Sequence, residues 1–292
     1  MADHDAVPIG VERDYDFTDA DFHRVRQLIY DHAGISLTEG KRGMVYGRLV
    51  RRVRALGASG FEQYLNQLSR SDGGEWQLFI NALTTNLTSF FRESHHFPIL
   101  IDYLRERYAG RPLSIWCSAA STGEEPYTLA MTACEAFDSL RPPVRILASD
   151  IDTQVLATAA TGVYKAERVE GIGPDRLKRF FQRGTGANDN RVRVRPELAE
   201  LIRFRQLNLL GPDWGVRGPL DVIFCRNVMI YFDKPTQIGI LERFHPLLKP
   251  DGLLFVGHSE SFPRSAHLFE LQGKTVYRPV NARVALKTGT RK

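Results

Sequence analysis

LSIWC at 113–117 runs straight into SAASTGEEPYTLAM at 118–131, and the reading of this join decides the fold. A short apolar run bounded by polar residues is a buried strand, the small residues around Gly123 make a turn, and the acids that follow open a helix. The same kind of strand returns as VRILASD (144–150), DVIFCRN (221–227) and LLFVGHS (253–259). Helices fit between them at about 124–137, 152–161 and 235–247, the last leading into a turn at Lys249-Pro250-Asp251-Gly252. Strands alternating with helices predict an α/β class, with a parallel sheet covered by helices. KTVYRP (274–279) alternates like a strand that returns antiparallel at the sheet edge. The stretch 165–200, with RGTG, NDN and RVRVR, fits none of these units and reads as a small β insertion.

Upstream the texture is helical. Residues 1–15 read as a tail, and FTDADFHRVRQLIYDHAG is a helix entered through Thr18 or Asp19 and stopped near Gly34. A basic helix follows, then FEQYLNQLSR and EWQLFINALT, with breaks at Gly57, Gly60, Gly73 and Gly74. The expected organisation is a helical N-terminal domain over 16–82, a linker over 83–95, the α/β domain over 96–280 with its insertion, and a basic tail over 281–292.

The chain has 292 residues, 43% of them hydrophobic, which is enough for a substantial core. No run reaches the roughly 18 apolar residues of a membrane span. The start MADHDAVPIG has neither the basic nor the apolar part of a signal peptide, so a cytoplasmic protein is expected. Cys117, Cys134 and Cys225 lie in apolar stretches without C-x-x-C spacing, which argues for core packing over a disulfide or zinc site. The net charge is +5. It is concentrated in KRGMVYGRLVRRVR (41–54), six basic residues without an acid, where Met44, Val45, Leu49, Val50 and Val53 form one apolar side. A solvated helix face is the ordinary meaning of such a run.

In an open parallel sheet, ligands bind beyond the carboxyl ends of the strands, so the loops after 117, 150 and 225 are where a site belongs. The first lacks the G-x-G-x-x-G of a dinucleotide site. A single-glycine turn with two acids suits a ligand carrying positive charge, although Ser121-x-x-Glu124 and Thr122-x-x-Glu125 also match a capping box. Asp150 ends its strand, where a carboxylate can accept both hydroxyls of a ribose, and Asp152 is placed to cap the next helix. Past the third strand come Asn227 and Tyr231, without the Pro-Pro found in amide-methylating nucleic-acid enzymes. In LTTNLTSFFRESHHF (83–97) the polar residues read as turn and cap residues, Arg92 as a partner of Glu93, and His95 and His96 as surface histidines. They lack a second ligand pair, so no metal site is expected.

Together, LTTNLTSFFRE, SAASTGEEPYTLAM, ASDID, LNLL, IFCRNVMIYF and LLKPDGLLFVGHSE, spread over 83–260 in this order, resemble the CheR family of chemotaxis receptor methyltransferases. HAGISLTEGKRGMVYGRLVRRVRALG resembles that family's helical domain. The resemblance implies a doubly wound S-adenosylmethionine-dependent methyltransferase fold with an N-terminal all-helical domain and an inserted antiparallel β subdomain. It implies that Asn86, Thr88, Arg92, Glu125, Asp150, Asn208, Leu209, Asn227 and Val228 bind the cofactor, with Asp150 on the ribose. Asn208 and Leu209, with Asn227 and Val228, would line the adenine and methionine parts.

The implied reaction esterifies receptor glutamates and leaves S-adenosylhomocysteine. Arg92 and Tyr231 are expected to hold the incoming carboxylate. Receptor methylation regions are acidic helical bundles, which gives Arg48, Arg51, Arg52 and Arg54 a substrate-binding reading. RGTG beside RVRVR resembles the β subdomain that in part of the family adds a receptor C-terminal peptide as a strand, the alternating run offering its edge. A monomer without nucleic-acid partner or membrane insertion is expected. The competing readings are a nucleic-acid methyltransferase, suggested by the basic charge, and an inactive signalling adaptor on the same scaffold.

Overall fold

The computed structural model describes residues 14–71 and 73–280, so the tail expected at 281–292, and nearly all of that at 1–15, falls outside the described residues. The chain divides into two compact units. One runs to Thr85 and includes Tyr231–Asp233, and the other comprises Asn86–Ile230 and the chain from Lys234 onward.

In the first unit, helix α1 (Asp19–Ala33) starts in a capping box, where the Thr18 hydroxyl accepts from Asp21 N at 3.1 Å and the Asp21 carboxylate accepts from Thr18 N at 3.0 Å. It ends at Gly34, whose φ of 69° is the left-handed C-cap. Helices α2 (Arg42–Ala55), α3 (Phe61–Ser69) and α4 (Gly74–Leu83) follow. Their apolar residues recur at helical spacing and bury Val25 and Ile29 with Val45, Leu49 and Val53, Leu65 and Leu68, and Phe79. Met44 stays half-buried.

The second unit carries α5 (His96–Arg107), β1 (Leu113–Cys117), α6 (Glu124–Phe137), β2 (Val144–Asp150) and α7 (Thr153–Thr161), then β3 (Val163–Lys165), α8 (Pro174–Phe180), β4 (Phe181–Arg183), β5 (Arg191–Val194) and α9 (Pro196–Ala199). It closes with β6 (Ile202–Gln206), β7 (Leu220–Cys225), α10 (Lys234–Phe244), β8 (Leu248–Val256), β9 (Phe269–Gly273) and β10 (Val276–Pro279). The main sheet runs β6-β2-β1-β7-β8-β10-β9, parallel from β6 to β8, with β10 antiparallel between β8 and β9. All six residues of β7 are buried, as expected of a central strand covered on both faces. The strand order reverses between β1 and β7, and Cys117 pairs with both Ala148 and Phe224, so β1, β2 and β7 deliver their loops to one end of the sheet.

Three sequence expectations change. Lys249–Gly252 is a bulge inside β8 and not a turn before it: Leu220 pairs with Leu248 and Val222 with Leu253, and Lys249 Nζ bonds the buried Asp221. KTVYRP supplies an interior strand, because β9 lies outside it. The insertion is a three-stranded antiparallel sheet in the order β3-β5-β4 with two short helices. RVRVR therefore supplies the central strand, paired on both sides, and cannot offer an edge to a peptide. Its alternation holds, with Arg191 and Arg193 exposed and Val194 buried.

Candidate functional site

The reversal between β1 and β7 opens the crevice where α/β sheets bind ligands, and backbone bonds shape the loop after β1 across it. Ser118 N donates to Phe224 O at 2.9 Å and Ala120 N to Ser149 O at 2.8 Å. The chain then turns through Ser121 and Gly123, with φ of 49° and 99°. A Cβ on Gly123 would lie 2.7 Å from the Tyr164 hydroxyl and 2.9 Å from Ala159 Cβ, so both space and backbone demand glycine there.

Asp150 ends β2 with its carboxylate in this crevice, oriented by Ser121 N at 2.8 Å on one oxygen and Asp152 N at 3.0 Å on the other. Each oxygen keeps a lone pair, the pattern required to accept two vicinal hydroxyls. Burial pushes the Asp150 carboxyl up to about 6, against the pull of the backbone N–H groups. Asp152 caps α7 through Gln154 N and Val155 N, and its second oxygen accepts from Asn86 Nδ2 at 2.9 Å. The Asn86 carbonyl accepts from the Ser121 hydroxyl at 3.0 Å.

Glu124 and Glu125 do not form capping boxes: α6 begins at Gly123 without a side-chain cap. Fully buried Glu124 pairs with Arg168, which also donates to Thr88 O at 3.1 Å, and accepts from the Thr122 hydroxyl at 2.6 Å. Glu125 pairs with Arg226 at 2.7 Å and accepts from the Cys117 thiol at 3.3 Å. Burial raises the Glu125 carboxyl and outweighs the attraction of Arg226.

Arg226, with its side chain only 1% exposed, also pairs with Glu93 at 3.3 Å and bonds the Arg92 carbonyl. Glu93 in turn accepts from Asn227 Nδ2 at 3.1 Å, His258 N at 3.1 Å and His258 Nδ1 at 3.0 Å. Burial would raise the Glu93 carboxyl, but His258, Arg226 and Asn227 prevail and hold it at about 2. Asn227, at φ 57°, is fixed from the other side by Glu260, whose carboxylate accepts from Asn227 N at 3.0 Å and Gly257 N at 2.6 Å. A Cβ on Gly257 would fall 2.4 Å from Asn227 Nδ2.

Arg92 does not pair with Glu93. Its guanidinium donates to Leu87 O at 2.9 Å and, among the described residues, faces no carboxylate within ion-pair distance. Leu207 N donates to Asp150 O at 2.9 Å, which brings Asn208 and Leu209 to the same rim; half-buried Val228 follows Asn227. Asn86, Thr88, Arg92, Glu125, Asp150, Asn208, Leu209, Asn227 and Val228 thus lie in one bonded cluster or directly beside it. Tyr231 falls with the helical unit, where its carbonyl accepts from Ser36 N at 2.8 Å. Glu93, His95 and His96 bring one ligand atom each within 4.8 Å of one another, but four N–H donors already occupy the Glu93 carboxylate and His96 Nε2 bonds Lys274 O at 2.8 Å.

The substrate-binding arginines differ among themselves. Arg48 bonds the carbonyls of Leu83 at 3.2 Å and Thr84 at 2.7 Å, satisfying the end of α4. Arg52 makes a two-pronged contact with Glu75 at 3.0 and 2.6 Å, and Arg54 pairs with Asp14. Arg51 is exposed and has no polar partner among the described residues.

Sequence reading passed over Arg226, Gly257 and Glu260, and gave Glu93 and Ser121 other roles, as an Arg92 partner and a capping residue. The one available signal was Arg226 itself, an arginine at the mouth of an otherwise apolar strand, which implies buried acids to receive it.

Residues 20–84 match the family model described as CheR methyltransferase, all-alpha domain, and residues 86–278 match CheR methyltransferase, SAM binding domain. Chemotaxis protein methyltransferase 2 of Pseudomonas aeruginosa is 54% identical over 273 residues, covering 93% of this chain and 97% of the relative. Chemotaxis protein methyltransferase of Escherichia coli is 55% identical over 261 residues, covering 89% and 91%. At greater distance, chemotaxis protein methyltransferase 2 of Vibrio cholerae is 36% identical over 263 residues, covering 87% and 90%. With both family models matched in order along the chain and relatives of 54% and 55% identity covered nearly end to end, the chain belongs to the CheR methyltransferase family.

Proposed function

We propose that this S-adenosylmethionine-dependent methyltransferase esterifies glutamate side chains of a bacterial chemoreceptor. Its family gives the enzyme class and the cofactor, and relatives described as chemotaxis protein methyltransferases support a chemoreceptor target. The glutamate acceptor and the residue roles are the proposal. The observation that carries it is the guanidinium of Arg92, at the rim of the Asp150 crevice with no acid partner of its own among the described residues.

A glutamate with a pKa near ~4.3 is already a carboxylate at neutral pH, so transfer needs no base. S-adenosylmethionine supplies an electrophilic methyl on a sulfonium. The chain's own work is alignment, which contributes several kcal/mol to such a reaction. Asp150 accepts the ribose hydroxyls, Glu125 faces the positive end of the cofactor, and Arg92 steers the incoming carboxylate. Arg92 must hold it loosely, because stabilising the ground state above the transition state slows transfer. The matching role for Tyr231 rests on the resemblance alone. Of the basic helix, Arg51 is the residue available to an acidic receptor helix, while Arg48 and Arg52 are engaged within their own domain. A receptor C-terminal peptide would add to an outer strand of the three-stranded sheet. Among the described residues no helix is long and apolar enough to cross a membrane.

Transfer of labelled methyl to receptor-bearing membranes tests the reading. The label should return as methanol on mild alkali, the mark of a carboxylate ester, and alkali-stable label would overturn the glutamate assignment.

A further inference from the structure

Two large apolar side chains stand in water on the loops that frame Arg92: Leu87 is 78% exposed and Ile230 is 51% exposed. Both are held there by polar bonds. Around Leu87, the Asn86 amide bonds Asp152, the Asn86 carbonyl accepts from Ser121, the Leu87 carbonyl accepts from Arg92, and the Thr88 carbonyl accepts from Arg168. Around Ile230, the preceding Met229 is fully buried with its carbonyl bonded by Gln237 at 2.8 Å, and Ile230 N donates to Glu260 at 3.3 Å. A loop whose backbone is fixed beside an exposed isobutyl or sec-butyl group presents that group with less ordering cost than a mobile loop brings to an interface.

The two positions belong to one rim. Glu260 binds both Ile230 N and Asn227 N, Asn227 binds Glu93, and Glu93 directly follows Arg92, which binds Leu87 O. Whatever carboxylate reaches Arg92 brings its own backbone across this rim.

We infer that Leu87 and Ile230 form an apolar clamp for the receptor helix, taking an apolar residue that lies one helical turn from the acceptor glutamate. The inference rests on the proposed function and deepens it from the acceptor atom to its surroundings. On a helix, residues three and four apart share a face with the glutamate. An apolar side chain there covers Leu87 or Ile230 and removes water from around the carboxylate, while a charged one is left desolvated against them. The clamp therefore selects among the acidic residues of a receptor by their neighbours, which charge attraction alone cannot do.

Steady-state methylation of receptor-bearing membranes by the full chain tests this. Leu87→Ser and Ile230→Ser should each raise KM for receptor about tenfold, as loss of an interface anchor does, with kcat little changed. Their affinity for S-adenosylhomocysteine, measured by calorimetry, should stay at the wild-type value. Leu271→Ser, which removes another exposed apolar residue, 56% exposed on β9, should leave receptor KM unchanged. An unchanged KM in both rim variants overturns the clamp, as does an equal loss of cofactor affinity, which would make them cofactor contacts. A self-association in sedimentation that Leu87→Ser abolishes would assign the patch to a second copy of this chain and overturn it equally. Failure of the wild type to methylate receptors would instead remove the parent reading, so the two failures are separable.

Discussion

Arg226 sets its guanidinium 2.7 Å from the carboxylate of Glu125, where the side chain of the arginine is 1% and that of the acid 11% exposed. The same guanidinium serves Glu93 and the Arg92 carbonyl, so one cation ties the start of α6 and the loop before α5 to the end of β7. Arg226→Ala would leave two enclosed carboxylates without their cation. Breaking a buried pair from one side costs about 3 to 5 kcal/mol, and urea denaturation should register a loss of that size. Glu125 should then titrate still higher, because the attraction of the Arg226 cation, which opposes the effect of burial, is gone.

Asp150 predicts a pH signature. Its carboxyl is raised by burial to about 6, and accepting ribose hydroxyls requires the ionised form. A ligand that binds only that form keeps a constant affinity above the pKa and loses affinity as pH falls through it. Calorimetric titration with S-adenosylhomocysteine between about pH 5 and about pH 8 should give a plateau at the alkaline end and weakening binding below about 6. Asp150→Asn should bind about ten- to a hundredfold more weakly, the scale of hydrogen bonds to a charged group, and show no such slope. A flat wild-type profile would remove Asp150 from the ribose.

The basic helix should split into structural and functional arginines. Arg52→Glu would set an acid against Glu75, which Arg52 now grips at 2.6 and 3.0 Å while the Tyr64 hydroxyl donates to it at 3.0 Å. A loss of roughly 2 to 4 kcal/mol is expected in denaturation of the helical domain. Arg51→Glu, exposed and unpaired among the described residues, should change stability by less than about 0.5 kcal/mol yet slow receptor methylation. Added salt should slow the wild type toward the Arg51 variant, since exposed charges are screened. If Arg51→Glu methylates receptors at the wild-type rate, α2 is a solvated face.

What the sequence made legible followed periodicity. LSIWC and VRILASD are strands to the residue, and α6 occupies 124–137 as read, because apolar runs and the glycine turn between them are local signals. IRFRQ was missed as β6, for it lies at the sheet edge and alternates arginine with apolar residues, like a solvated segment. The site was half legible. Asp150 and Asn86 could be named from the resemblance, but nothing local in the sequence says that Asn86 reaches Asp152 across 66 positions, or that Arg226 reaches Glu125 across 101. Spacing also fits Glu124 and Glu125 to capping boxes, beside a role toward a positively charged ligand. The fold overrides that local option by supplying Arg168 and Arg226, stronger partners that only the tertiary structure brings near.

We propose that a receptor C-terminal peptide adds to β4 of the three-stranded sheet. Since β5 is paired on both sides, a receptor peptide must add to β3 or β4. Across β4, Arg195 N bonds Phe180 O and Gly184 N bonds Arg191 O, so residues 180, 182 and 184 serve β5, and by alternation Phe181 and Arg183 turn their backbone groups outward. Gln182 and Arg183 are exposed, and Arg193 is exposed beside them on β5, so an acidic extended peptide meets cations as well as backbone donors. A soluble peptide with the receptor's C-terminal sequence should therefore bind with micromolar-range affinity, about −8 kcal/mol. Arg183→Pro removes an outward N–H that β5 does not use, and should abolish peptide binding while leaving cofactor affinity intact. Lys165→Pro makes the equivalent change on β3 and should leave the peptide bound. Methylation of a receptor carrying the tail should then slow in the Arg183 variant to the rate of a tailless receptor, because a tether raises local concentration and leaves the chemistry alone. Equal binding by both proline variants and the wild type would give the insertion another role.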